Sequence, residues 1–223
     1  MFRKLAYVLV AIVLFAGMGW LGVSHWTPSR GAYPTQGVDV SHDQGEIDWN
    51  AARSAGADFA YVKASEGSDM RDDRFASNWT GAAEAGVKRG AYHFFSLCRT
   101  GRQQATNFIA MVPREAEALP PALALEFEGN CKQRPSRDSL LAEVATFIQM
   151  VEAHSEKPVM IHVTRAFENQ YRISEALNRP LWLRSTGLAP SYGAHAWVMW
   201  QANRLRRVDG IEGPVDWNVV RPQ

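Results

Sequence analysis

Cysteine is nearly absent from this 223-residue chain: Cys98 and Cys131 are the whole complement. That excludes a disulfide-dense scaffold and a four-cysteine zinc site. Charge of one sign is lacking as well. Lys and Arg total 24 against 23 acids, so no basic surface recommends a nucleic-acid partner. Internal repeats and low-complexity stretches are missing, which sets aside solenoids and disordered arrays. Histidines are few, and His42 and His93 have no third ligand at metal-site spacing, so they read as hydrogen-bonded structural residues. Neither a metal nor a cofactor is called for.

What is present is one long apolar run and one globular composition. Residues 5–23 carry no charge and follow Arg3 and Lys4. At about 1.5 Å rise per residue such a run nearly matches a hydrocarbon core of roughly 30 Å. The positive-inside rule then leaves the N-terminus in the cytoplasm, with Trp20 and Trp26 at the far interface. The expectation is a single-pass anchor over residues 1–26 in the inner membrane, with everything beyond it in the periplasm. A cleaved signal peptide is the alternative. Residues 27–36 contain Pro28 and Pro34 and read as a short tether. The remainder, 37–223, has the hydrophobic content of one domain with one large core. In an oxidising compartment two cysteines permit one disulfide, Cys98 to Cys131, or else remain two buried thiols.

Short runs rich in β-branched and aromatic residues recur at 37–40, 59–63, 90–95, 122–127 and 159–163. Between them lie amphipathic segments at 48–55, 74–85, 101–112 and 137–154, the first two ending at Gly56 and Gly86, the third at Pro113, and the last starting behind Ser136. That alternation predicts βα units and a parallel sheet. Later strands at 181–183, 196–201 and around 208–215 are separated by loops and at best short helices. The fold class is therefore α/β behind an N-terminal transmembrane helix, with last strands that close without full helices.

In a (β/α) barrel, one closure that βα units allow, the chemistry sits where strands end, because the βα loops there form the open mouth. Asp39, Glu66, Tyr92, Glu126, Glu128, Trp200, Gln201 and Asp216 fall at those positions. An aspartate embedded in GVDVSH is costly in a buried strand without a purpose, and a glutamate embedded in LALEFE is either half of a structural ion pair or catalytic. The acidic cluster Asp69, Asp72 and Asp73, interleaved with Arg71 and Arg74, reads instead as a solvated loop and helix start.

GVDVSHDQGEIDW (37–49), YVKASEG (61–67), GAYHFF (90–95), LPPALALEFEGNC (119–131), PLWLRS (180–185) and GIEGPVDWN (210–218) stand in one order along the chain. Together they resemble family 25 of the glycoside hydrolases, the Chalaropsis-type lysozymes, over nearly the whole of the expected exported part. The resemblance implies an irregular TIM-like (β/α)5(β)3 barrel of eight strands and five helices. It also implies hydrolysis of the β-1,4 bond between N-acetylmuramic acid and N-acetylglucosamine in peptidoglycan glycan strands. Carried over by position, Glu126 would be the acid/base, with Asp39 and Asp216 as ionised carboxylates beside it. Tyr92 and Trp200 would be aromatic walls, and Glu66, Gln201 and Glu128 would contact substrate. A Glu walled by aromatics is desolvated and its pKa rises, while a developing oxocarbenium-like charge is stabilised by nearby aspartates. The family is thought to use the substrate's own N-acetyl group as nucleophile, which requires a carboxylate beside it.

The family's Asp-x-Glu is broken here, because Ala124 stands where the Asp belongs. Residues 124, 126 and 128 share one face of a strand, so a slipped register would make Glu126 and Glu128 the pair. On the fifth strand Ile161 is expected where tyrosine is usual. Losing a positioned carboxylate commonly costs on the order of 10²- to 10⁴-fold in rate. Two functions follow: a muramidase of reduced activity, or a catalytically impaired peptidoglycan-binding scaffold.

Overall fold

A computed structural model describes residues 22–222 together with Tyr7, Gly17 and Gly19. Most of the apolar run at 5–23, and with it the expected anchor, lies outside the described residues. Among those described, no helix is long and apolar enough to cross a membrane.

Eight strands close on one another: β1 (Gln36–Val40), β2 (Phe59–Glu66), β4 (Lys88–Phe94), β5 (Ala122–Leu125), β6 (Met160–Val163), β7 (Leu181–Arg184), β8 (Met199–Arg206) and β9 (Val215–Val220). A ninth, the two-residue β3 (Met70–Arg71), pairs antiparallel with the end of β2. Neighbours from β1 through β8 run parallel, and β9 closes the ring antiparallel to both β8 and β1. Helices α1 (Trp49–Ser54), α2 (Phe75–Glu84), α3 (Gly101–Met111) and α4 (Arg137–Ser155) follow the first strands, and α5 (Arg165–Tyr171) with α6 (Ile173–Ala176) follows β6. No helix separates β7, β8 and β9 among the described residues, so the (β/α)5(β)3 pattern stands.

The helices start where side-chain caps replace missing backbone partners. The Asp48 carboxylate accepts from the Ala51 N–H at 3.0 Å, and the Ser136 hydroxyl caps Ser139. Thr100 and Gln103 cap α3 reciprocally. Gly101 is required at this start, since a Cβ there would lie 1.8 Å from the Glu143 carbonyl of α4. Strands β5 and β6 are buried on both faces, as parallel strands lined by helices outside and a packed lumen inside must be.

Two cores result. The larger lies between sheet and helices, where Phe95, Phe108, Phe147, Ile161 and Val163 are all but inaccessible. The smaller fills the barrel floor with Phe59, Tyr61, Ala122, Met160, Trp182 and Met199. Cys98 and Cys131 are joined by a disulfide that ties the loop after β4 to the loop after β5.

Three expectations shift. The strand expected at 196–201 is Met199–Arg206, and the one expected near 208–215 is Val215–Val220. Gly210 and Gly213, both at positive φ, turn the chain between them, so 208–214 is a loop. Residues 27–36 are strapped to the barrel. The Thr27 hydroxyl donates to the Gln36 side chain, whose amide donates to the Pro28 and Tyr33 carbonyls, and Arg30 pairs with Asp58 at 2.9 Å.

Candidate active site

Alternation along each strand decides which side chains reach the lumen. Asp39 on β1 stands opposite Tyr61 on β2 and Asp216 on β9. Ala124, His162 and Trp182 follow one another across β5, β6 and β7, and Arg184 stands opposite Gln201. At the C-terminal end of the strands these positions open into a cleft. It is lined by Asp39, Tyr92, Glu126, Arg184 and Asp216, with Ala124, His162 and Trp182 deeper and Glu128 and Arg204 at the rim.

Of the residues singled out from sequence, Asp39, Glu126, Asp216, Tyr92, Gln201 and Glu128 are brought together here. Two are not. Trp200 points to the outer face, because its neighbour Gln201 points in. Its ring packs 5.7 Å from Tyr33, and its indole N–H donates to the Ser185 carbonyl. Glu66, the last residue of β2, ion-pairs with Lys63 at 2.7 Å and is not among the residues that line the cleft. The cleft residue of β6 is His162, while Ile161 is buried in the outer core.

The electrostatics differ from expectation. Glu126 lies just past the last residue of β5, 9% exposed, and its Oε2 accepts from Arg184 Nη2 at 2.6 Å. The expected lone acid among aromatics is instead one half of a buried ion pair. Arg184 also donates from Nε to Gln201 at 2.7 Å and lies 3.6 Å from Glu128. Gln201 and Asn218 in turn donate to Asp39 Oδ2 at 3.0 and 2.7 Å.

The raised carboxyls are the two aspartates expected to be ionised. Burial pushes Asp39 up to about 6, against the opposing pull of its Asn218 and Gln201 hydrogen bonds and of Arg184. Burial also holds Asp216 well above the carboxylate range, and the adjacent Asp39 charge adds to it, while Arg204 and Arg184 oppose. The Asp39 charge on the paired strand thus opposes ionisation of Asp216. Burial likewise keeps the Tyr92 hydroxyl protonated, a donor facing the cleft.

His162 is held neutral by burial and by the positive charges of Arg184 and Arg204. Its ring lies 4.4 Å from Trp182, and its Nε2 has no partner. His93, by contrast, is a structural residue between Ser65 at 2.9 Å and Gln104 at 3.2 Å. His42 pairs with Asp72 at 3.0 Å.

Sequence reasoning missed Arg184, His162, Trp182, Asn218 and Arg204. A signal existed for Trp182 and Arg184, since in LWLR they are two apart on a strand and so share a face. Asn130 was also missed. Its amide donates to the Phe95 and Glu126 carbonyls, and its oxygen accepts from the Leu97 and Cys131 N–H groups, which fixes the backbone that carries Glu126.

Residues 38–211 match the family model described as glycosyl hydrolases family 25. Lysozyme M1 of Streptomyces globisporus is 36% identical over 195 residues, covering 82% of this chain and 66% of that protein. The solved structure of a family 25 glycosyl hydrolase from Bacillus anthracis superposes with a TM-score of 0.80 at 34% identity, over 90% of this chain and 94% of that one. A bacterial lysozyme from Streptomyces coelicolor gives 0.77 at 34% identity, over 85% and 93%.

Proposed function

The chain belongs to family 25 of the glycosyl hydrolases, and from that membership we propose that it is a muramidase. It would cleave the β-1,4 bond between N-acetylmuramic acid and N-acetylglucosamine in peptidoglycan glycan strands. The observation that carries this reading is the convergence of Glu126, Asp39 and Asp216 on one cleft at the strand ends. In it Glu126 gives its proton to the glycosidic oxygen, and the cleft's negative charge stabilises the oxocarbenium-like state. An acetamide nucleophile needs a carboxylate beside it. With Ala124 apolar, the Asp39 and Asp216 pair is what remains, and Asp39 becomes the negative member as the pH passes about 6.

Arg184 makes this a guarded site. It takes the Oε2 atom that would meet the glycosidic oxygen, so substrate must displace the guanidinium, and Glu128, 3.6 Å away at the rim, is the partner that can receive it. Ala124 and Arg184 together support reduced activity. They also support a second reading, a glycan-binding scaffold that keeps the groove and has lost efficient chemistry. We further propose the arrangement read from the sequence: an anchor over residues 1–26 in the inner membrane, residues 27–36 joining it to the barrel, and the barrel of residues 37–223 in the periplasm.

Digestion of purified sacculi by the full chain tests the hydrolase. Release of reducing ends at some pH between about 4 and 8, the span that the cleft carboxyls cover, is the expected result. No release across that span leaves only the scaffold.

A further inference from the structure

The chain enters the described structure beside the mouth of the barrel. β8 passes the end of β7, where Arg184 stands opposite Gln201, and continues to Arg206 above the cleft. On that overhang Asn203 Nδ2 donates to the carbonyls of Val23 and Trp26 at 2.7 and 2.9 Å. Arg206 donates to the His25 carbonyl, and the Arg207 N–H to that of Ser24. Trp26 packs on Trp200 at 6.3 Å. From there residues 27–35 run down the flank to start β1 at the opposite end. The last residue of the apolar run is thus bolted to the mouth end of the barrel, with no slack between them.

The same corner carries exposed apolar side chains. Val23, Trp26, Leu188 and Leu205 are 44, 36, 79 and 37% exposed, four of the six large apolar residues that are exposed among those described. Val23 and Trp26 line a hollow with Thr186, Gly187 and Asn203, and Leu188 and Leu205 lie on the same two segments. Arg207, exposed and adjacent, supplies a cation suited to anionic headgroups.

We propose that this corner rests on the bilayer from which the chain emerges, so that the cleft opens toward the membrane surface and takes glycan still held there on a lipid carrier. The proposal rests on the anchor reading of residues 5–23. The occupant is lipid because the patch surrounds the point where the apolar run ends. A flexible tether would let the mouth face anywhere. The hydrogen bonds at Asn203, Arg206 and Arg207 remove that freedom, and apolar residues flanked by Trp and Arg suit the headgroup boundary.

The test uses the full chain with its disulfide intact, in vesicles of phosphatidylethanolamine and phosphatidylglycerol. A fluorophore is placed through Leu188→Cys at the mouth corner, or through Glu117→Cys, an exposed site on the loop entering β5 at the other end. Headgroup spin-labelled lipid is expected to quench the dye at 188 several-fold more than the dye at 117. Equal quenching, or none at either site in vesicles that carry the chain, overturns the orientation. A chain that does not float with the vesicles overturns the anchor and the orientation with it. In the same vesicles, glycan carried on a polyprenyl lipid is expected to be cleaved several-fold faster than the same glycan free in solution, and equal rates overturn the substrate assignment. Quenching needs no turnover, so it stands apart from the hydrolase reading.

Discussion

The floor and the mouth of this barrel are built from the same strands and obey opposite rules. At the floor, Phe59, Tyr61, Met160, Trp182 and Met199 pack into an apolar cluster, and the two polar tips among them have partners, the Tyr61 hydroxyl donating to the Pro120 carbonyl at 3.0 Å and the Trp182 indole N–H to the Asn218 side-chain oxygen at 2.8 Å. A few ångströms along the same strands, inward positions become Asp39, Tyr92, Arg184 and Gln201. Every carboxylate there is tied to a donor or an ion-pair partner, because an unpaired charge in such a site is too costly to hold. The lesson is that distance along a strand, not face alone, separates residues that stabilise from residues that act.

Four variants sharpen or break that contrast. Glu126→Gln is expected to lower reducing-end release by about 10²- to 10⁴-fold while Tm stays within a few degrees. A large loss of Tm would mean that the Arg184–Glu126 pair belongs to the fold rather than to the chemistry. Met160→Ala at the floor should do the reverse. A cost of about 2–4 kcal/mol in denaturant unfolding is expected, with turnover per folded molecule unchanged.

Ala124→Asp returns a carboxyl to the cleft and offers Arg184 another partner. Turnover is expected to rise about 10- to 100-fold, and a fall would set aside Arg184 as the guard of Glu126. The smallest effect belongs to Asp39→Asn. The folded protein binds the Asp39 proton more tightly than the unfolded chain, so this stability is complete below about pH 3.8 and lost as pH rises through about 6. The Asn variant should therefore gain on the order of 1 kcal/mol relative to the parent at pH 7, with no such gain at pH 3.5. Activity of the parent should rise through about pH 6 as Asp39 ionises, and a profile flat across that range would refute a role for the ionised Asp39.

Much of the barrel was legible because its signals are local. Apolar runs of four to eight residues, glycines at the ends of α1 and α2, and a serine before α4 mark elements without reference to the rest of the chain. The last two strands were misplaced, because their bounds depend on a glycine turn at 210–213 and on pairing between β8 and β9. Within the site, Asp39, Glu126 and Asp216 were visible as charges in apolar surroundings. Trp200 was not placed correctly, since a tryptophan one residue before Gln201 looks equally able to face either way until the strand's neighbours are known.

What the amino-acid order determined alone was the βα rhythm, the family membership and the missing carboxylate at Ala124, all properties of adjacent residues. Only the tertiary structure decided that Arg184, 58 residues from Glu126, would occupy its carboxylate, and that Asp39 and Asp216 would stand opposite one another on paired strands with both carboxyls raised by burial. Those outcomes come from closing the sheet into a ring, which sets charges distant in sequence within hydrogen-bond reach in a space that excludes most water, where their mutual energies outweigh the preferences of each residue by itself.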